Sequence, residues 1–433
     1  MKLSVRTPAL SGLVVAAFGI QAMAMAMAAA ADSDAAATQA APAAGATIAI
    51  IGGTLIDGNG GRPLENATVL VRGERIVAVG TAGAVDIPAD AKRYDAAGKY
   101  VLPGFIDLHV HLVYPRDGRQ PSDSLSTLSA LNFMERFVDS GITSARDVGG
   151  MIEPMQALNE AQRRGYIRSL RLYSVGQLIT TTGGHGPKWS YFANGPYGFR
   201  EAVRKMYDAG FRYIKLSPPY TQEEVSAAVD EAKIHLMRVT SHGGGFSDSE
   251  PPEMTRRAIL AGVQCIEHLY MPVADLDLIA ERKIQIVPTL QIMKLLYESP
   301  QVIPTMEYLE HKRGWSMAMH EELFRQARKR HIVMGIGTDA IVELMAHYPG
   351  MYFDEMEYFV RLGESRLETI TAATKNGAII LGREADLGTL EKGKLADLQV
   401  VDGNPQESFQ PLGHPSLVMI GGAVLRTGGV EPR

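Results

Sequence analysis

Residues 102–115 read LPGFIDLHVHLVYP. A proline and a glycine precede an apolar run that closes on two histidines one residue apart. In a strand, residues i and i+2 project to the same face. His109 and His111 therefore stand together at the end of what reads as a buried strand. One such pair alone is weak evidence, because an H-x-H recurs by chance. Its company strengthens it. Similar apolar runs follow at ITSARDV (142–148), RLYSVG (171–176), YIKLS (213–217), MRVTSH (237–242), VQCIEH (263–268), IQIVPT (284–289) and VMGIGTD (333–339).

Helical patterns lie between several of these runs, including EPMQALNEAQRRG, FREAVRKMYDAG, TQEEVSAAVDEAKIH and EMTRRAILAG. Strands that alternate with helices predict an α/β fold, and eight such strands predict a TIM-like (β/α)8 barrel over residues 103–384. Lys215, His242, His268 and Asp339 each close one of the apolar runs. Lys215, His242 and His268 step by 27 and 26 residues, about one β-α-β repeat. The barrel thus brings four imidazoles, a lysine and a carboxylate to one mouth. That donor set suits a borderline divalent cation such as zinc. A charged ammonium there would repel the cation, so Lys215 must be neutral or chemically altered. By strand alternation Cys265 faces away from His268, while Glu267 and Asp107 are read as structural neighbours on the opposite face.

Outside the middle region the texture differs. TIAIIGGTLIDGNG, ATVLVRGERIVAVG and KYVLPGFIDL are β-rich runs broken by Gly, Asp and Asn turns, and GTLEKGKLADLQVVDGNP and HPSLVMIGGAVLRTGG repeat the pattern near the C-terminus. Each piece is short of strands. Together, 47–102 and 385–433 predict a small β-sandwich domain built from both chain ends. Two βα connections look irregular, at TTTGGHGPKWSYFANGPYG and QIMKLLYESPQVIPTMEYLEHKRGW, where barrel loops shape substrate pockets.

The N-terminus pairs Lys2 and Arg6 with an apolar stretch and then small residues, the layout of a signal peptide over 1–31 with a flexible leader at 32–46. The same stretch is almost long enough for an anchor, but alanine outnumbers the larger aliphatics, so cleavage and a secreted or periplasmic protein are expected, free of the membrane. The chain has 433 residues, is 46% hydrophobic and carries a net charge of −5 with no basic run, which argues against nucleic-acid or anionic-membrane partners. A single cysteine, Cys265, excludes an internal disulfide.

LPGFIDLHVH, YIKLS, the two single histidines, GIGTDA and the closing GTLEKGKLADLQVVDGNP together resemble the amidohydrolase superfamily. IEHLY followed by VPTL, and the TTTGGHG loop, resemble its imidazolonepropionase-like and Xaa-Pro dipeptidase-like branch. The likeness runs from about Thr47 to Gly428. It implies two metal ions, usually zinc. His109 and His111 would hold the first with Asp339 nearby, Lys215 carboxylated by CO2 would bridge both, and His242 and His268 would hold the second. SHGGGFSDSEPP departs from the branch, which more often has one small residue after this histidine. The resemblance further implies hydrolysis of a C–N amide bond by a metal-bridging hydroxide, with Asp339 as the proton carrier. The expected substrate is dipeptide-like or an N-acyl amino acid, as in dipeptidases, carboxypeptidases and ochratoxin-type amidases. His185, Tyr220 and Tyr114 are candidate substrate contacts, with Trp189 and Tyr191 as a possible aromatic wall. Two other readings stay open: a cyclic-amide hydrolase or deaminase on the same scaffold, and a non-catalytic scaffold. Relatives form homo-oligomers, and one is expected here.

Overall fold

A computed structural model describes residues 45–113, 122–186, 190–244, 251–298 and 315–428. The signal peptide and nearly all of the leader, as well as Tyr114 and Trp189, lie outside the described residues. Among the described residues no helix is long and apolar enough to cross a membrane.

The strands in chain order are β1 (Thr47–Leu55), β2 (Leu64–Arg72), β3 (Arg75–Thr81), β4 (Lys92–Asp95), β5 (Tyr100–Pro103), β6 (Phe105–Val110), β7 (Ile142–Asp147), β8 (Arg171–Ser174), β9 (Ile179–Thr180), β10 (Tyr191–Phe192), β11 (Tyr213–Leu216), β12 (Arg238–His242), β13 (Cys265–Glu267), β14 (Gln285–Val287), β15 (Leu398–Val401), β16 (Leu417–Ile420) and β17 (Ala423–Thr427).

Both chain ends enter one sheet, ordered β17-β16-β15-β5-β1-β2-β3 with β4 beside β1. The seam is β5, which pairs parallel with β1 and antiparallel with β15, Val101 opposite Val400. Alternate residues Val69, Val71, Leu398, Val400, Leu417 and Met419 join one buried cluster, the period-two pattern of strands with a covered face. Each such side chain contributes about 1.5–3 kcal/mol by leaving water. The chain passes from β5 into β6 through Gly104. A Cβ there would lie 2.2 Å from the Thr143 side chain, so only glycine lets the two strands approach.

From β6 to β14 the strands pair in parallel. β6, β7 and β8 form one run; β9, β11, β12, β13 and β14 form another, with β10 on its edge. The chain itself links the runs, because β8 leads directly to β9. The expected eighth strand, VMGIGTD, closes the other side, although it is not regular. Ile286 bridges Met334, Leu108 N–H bonds the Ile336 carbonyl at 3.0 Å, and Asp339 N–H bonds the His109 carbonyl at 2.7 Å. Two glycines and a left-handed Asp339 (φ 52°) break its regularity. A Cβ on Gly337 would meet Val287 at 2.4 Å, so the segment is pressed against β14. The result is a TIM-barrel-like α/β fold.

The helices cover this ring with one apolar face each. In Gln222–Ile234, Val225, Ala228, Val229 and Ala232 are buried, three and four residues apart. The helix starts at a capping box in which Thr221 and Glu224 satisfy each other's backbone N–H. One expectation needs correction. QIMKLLYE is not irregular: Leu290–Glu298 is a helix. The Glu355 carboxylate accepts from Leu290 N–H and Gln291 N–H at 3.0 and 2.6 Å. That cap comes from 64 residues away, so local sequence could not announce it.

Candidate metal centre

The side chains singled out in the sequence converge on one end of the ring. His109 comes from β6 and His111 from the residue after it, Lys215 from β11, His242 from the end of β12, His268 from just past β13, and Asp339 from the closing segment. Asp339 Oδ1 lies 3.3 Å from His109 Nε2 and 3.3 Å from His111 Nε2, and Oδ2 lies 4.0 Å from His268 Nε2. The imidazoles form a chain: His109 and His268 centroids are 4.8 Å apart, His268 and His242 4.4 Å, and His242 and His185 4.5 Å. His109, Lys215, His242 and His268 are buried.

Backbone strain helps to aim them. His268, Thr289 and Asp339 all adopt left-handed φ, at 67°, 51° and 52°. A non-glycine residue there costs on the order of 1 kcal/mol or more, and such residues gather where function over-determines the geometry.

The outward ring nitrogens are occupied. His109 Nδ1 is 2.8 Å from Glu267 Oε2, His111 Nδ1 is 2.7 Å from the Gly149 carbonyl, and His268 Nδ1 is 2.6 Å from Thr289 Oγ1. A carboxylate and a carbonyl can only accept, so His109 and His111 donate from Nδ1, which leaves Nε2 on the side of Asp339. Imidazoles that ligate a metal are held in this way. One ligand atom from each of His109, His111 and Asp339 lies within 4.8 Å of the others. The donor set therefore fits a divalent cation.

The electrostatics agree for His109, His242 and His268; at His111 burial is outweighed by the hydrogen bond and charge of Asp339, which raise it above the ordinary imidazole range. Burial and the Lys215 charge push His109 down to about 4, and burial with neighbouring cations pushes His242 and His268 well below the usual imidazole range. These rings are neutral at pH 7, the form that ligates. Burial pushes Lys215 down to about 8, although Glu267 and Asp339 pull it the other way. Asp339 is held below the ordinary carboxylate range by His109, His111 and Lys215, despite its burial.

Tyr220 is buried, and its hydroxyl pairs with Ser241 Oγ at 2.8 Å. Tyr191 lies in the short strand β10, half-buried under Lys205, with Nζ 4.8 Å from its ring centroid.

Strand parity misplaced one acid. Glu267 reaches His109, because the chain turns left-handed at His268 and alternation fails there. Asp107 plays the structural part read for it, where the pairing of β6 with β7 shifts register between Asp107 and Val110. It accepts from Thr338 N–H at 3.1 Å, Thr338 Oγ1 at 2.8 Å and Tyr348 O–H at 3.0 Å, next to Asp339. Cys265 likewise faces inward, with Sγ 3.6 Å from Glu267 Oε1. Arg146, Asp147 and Thr289 were also missed. Asp147 closes ITSARDV just as the ligand candidates close their runs, and it accepts from Leu112 N–H at 2.8 Å and Gly149 N–H at 3.1 Å.

The ring of strands and its imidazole-lined mouth define a TIM-barrel-like α/β fold with a donor set for a divalent cation, and the family and relatives that follow make it a hydrolase acting on carbon–nitrogen bonds. The chain belongs to the amidohydrolase family, whose model matches residues 100–425. It is 27% identical to the ochratoxinase of Aspergillus niger, over 88% of this chain and 87% of that protein. Among solved structures it resembles a Xaa-Pro dipeptidase with bound methionine in the active site, at 28% identity and TM-score 0.78 over 88% of this chain and 100% of the other. A prolidase complexed with N-methylphosphonate-L-proline aligns at 26% identity and TM-score 0.78, with the same coverages.

Proposed function

We propose that this protein is a binuclear amidohydrolase that cleaves the C–N amide bond of a dipeptide-like or N-acyl amino acid substrate. The observation that carries the reading is the convergence of His109, His111, His268 and Asp339, with the outer nitrogens of the three rings already engaged. His109, His111 and Asp339 would hold one zinc ion, His242 and His268 a second, and Lys215, carboxylated by CO2, would be shared. Bound cations of this kind lower the pKa of water and polarise a carbonyl.

The chain's own residues do the rest. Asp339 accepts a proton from the attacking water and returns it to the leaving nitrogen, which departs as an amine. A lysine near pKa 8 has neutral amine available to combine with CO2, and the carbamate replaces a repelling cation by an anion. His185, stacked on His242 with an interplanar angle of 18°, meets the substrate at the mouth, with Tyr220 nearby. A prolidase complex and a dipeptidase among the similar structures support an amino acid leaving group.

The two-ended sheet is read as the β-sandwich domain, and residues 1–31 as a signal that directs the enzyme out of the cytoplasm. The decisive experiment offers zinc-loaded enzyme a panel of dipeptides and N-acyl amino acids and assays primary amine release. Turnover that disappears with chelator supports the reading. Ammonia released from ring substrates, with no amino acid released from the panel, would assign a deaminase instead.

A further inference from the structure

The mouth leaves one feature unexplained. An ion pair, Arg146 with Glu267, lies fully inside the ring beneath the imidazoles. Burying two charges costs several kcal/mol each, and an apolar pair of similar volume is often as stable. Core stability is therefore a poor reason for its presence.

The contacts are directional. Arg146, on β7, donates from Nε to the Leu108 carbonyl at 2.7 Å, one residue before His109 on β6. Its Nη2 donates to Glu267 Oε1. The same oxygen accepts from Thr240 Oγ1, on β12. The other oxygen, Oε2, is directed at His109 Nδ1 at 2.8 Å. Four strands thus meet at one carboxylate, which can be only an acceptor toward the ring.

We propose that Arg146 and Glu267 are positioning residues: Arg146 anchors Glu267, and Glu267 fixes which nitrogen of His109 faces the mouth. The proposal rests on the reading of that mouth as a cation site. With the carboxylate in place, His109 carries its proton on Nδ1 and presents Nε2 as a lone pair. An amide in its place can keep its oxygen toward Arg146 and Thr240 only by turning its NH2 toward His109. The ring must then accept at Nδ1 and carry its proton on Nε2, aimed at Asp339 and blocking ligation.

The test compares wild type with E267Q and with the double variant R146M/E267M, which removes both charges together. Imidazole 15N spectra of metal-free protein report the tautomer, and chelator competition with zinc alone reports affinity. Wild type should show His109 protonated on Nδ1; E267Q should show the Nε2-protonated ring. Both variants should bind zinc roughly 10–100-fold more weakly. At saturating zinc kcat should recover further than affinity does. If E267Q fails to fold, the double variant carries the affinity measurement. A wild-type tautomer in E267Q, or zinc affinity within twofold of wild type in whichever variants fold, would show the pair to be merely structural and overturn the proposal. Failure of every amide in the panel would refute the proposed reaction, yet leave the tautomer result standing.

Discussion

Asp339 donates its backbone N–H to the His109 carbonyl at 2.7 Å, while its carboxylate lies 3.3 Å from the Nε2 of the same histidine. One short contact closes the ring of strands and sets the acid against the imidazoles. The left-handed φ of 52° at Asp339 is what allows backbone and side chain to reach the same residue. The first prediction follows from this double engagement. Asp339→Asn keeps the backbone bond and the side-chain shape but can no longer take up a proton. Thermal unfolding should stay close to wild type, while kcat at saturating zinc falls roughly 10²–10⁴-fold. Wild-type kcat in this variant would remove Asp339 from the chemistry.

Lys215→Ala tests the shared ligand. The alanine variant should bind less zinc than wild type, and zinc should protect it less against heat. Ligand at a hundredfold excess over Kd stabilises a folded protein by about 2.7 kcal/mol. Metal analysis after gel filtration, with melting curves at several zinc concentrations, measures both. Equal zinc content in the two proteins would refute the role given to Lys215.

His185 is expected to act on substrate binding and not on the bond-breaking step. His185→Ala should raise KM for amino-acid amides roughly tenfold, about 1.4 kcal/mol, with kcat within about twofold. A loss confined to kcat would instead place this ring among the reacting groups.

Stability should depend on pH through Glu355. Burial pushes this carboxyl up to about 8, against the pull of its bonds to Gln291 and Leu290 N–H; the ordinary value is 4.5. The fold therefore favours the neutral form. The stabilisation is complete below pH 4.5 and is lost as pH rises through about 8. Urea unfolding of wild type at pH 5 and pH 8 should differ by on the order of 2–4 kcal/mol from this group, and Glu355→Gln should remove that part of the difference. Parallel pH profiles for the two proteins would show that Glu355 ionises normally in the fold.

Much of the architecture was legible because period is a local property. Eight apolar runs at β-strand length, separated by 3.6-period helices, announced the ring, and polar residues closing those runs announced its mouth. Strand alternation was enough to bring His109 and His111 together against Asp339, although the pairing of β6 with β7 shifts register between Asp107 and Val110. It failed at 267 and 268, where a left-handed residue turns both neighbours inward. The helix Leu290–Glu298 was missed for a related reason: its N-terminal N–H groups are satisfied by Glu355 from another part of the chain.

By itself the sequence determined most of the strand and helix order of the ring, the meeting of both chain ends in β structure, and six residues with the right chemistry for a cation. The folded chain alone decided which oxygen faces which nitrogen. His109 depends on Glu267, His111 on Gly149 and His268 on Thr289. These partners join residues as far as 158 positions apart, and hydrogen bonds are decided over tenths of an ångström. No spacing rule in a linear chain carries that information, because it exists only once the ring of strands has closed.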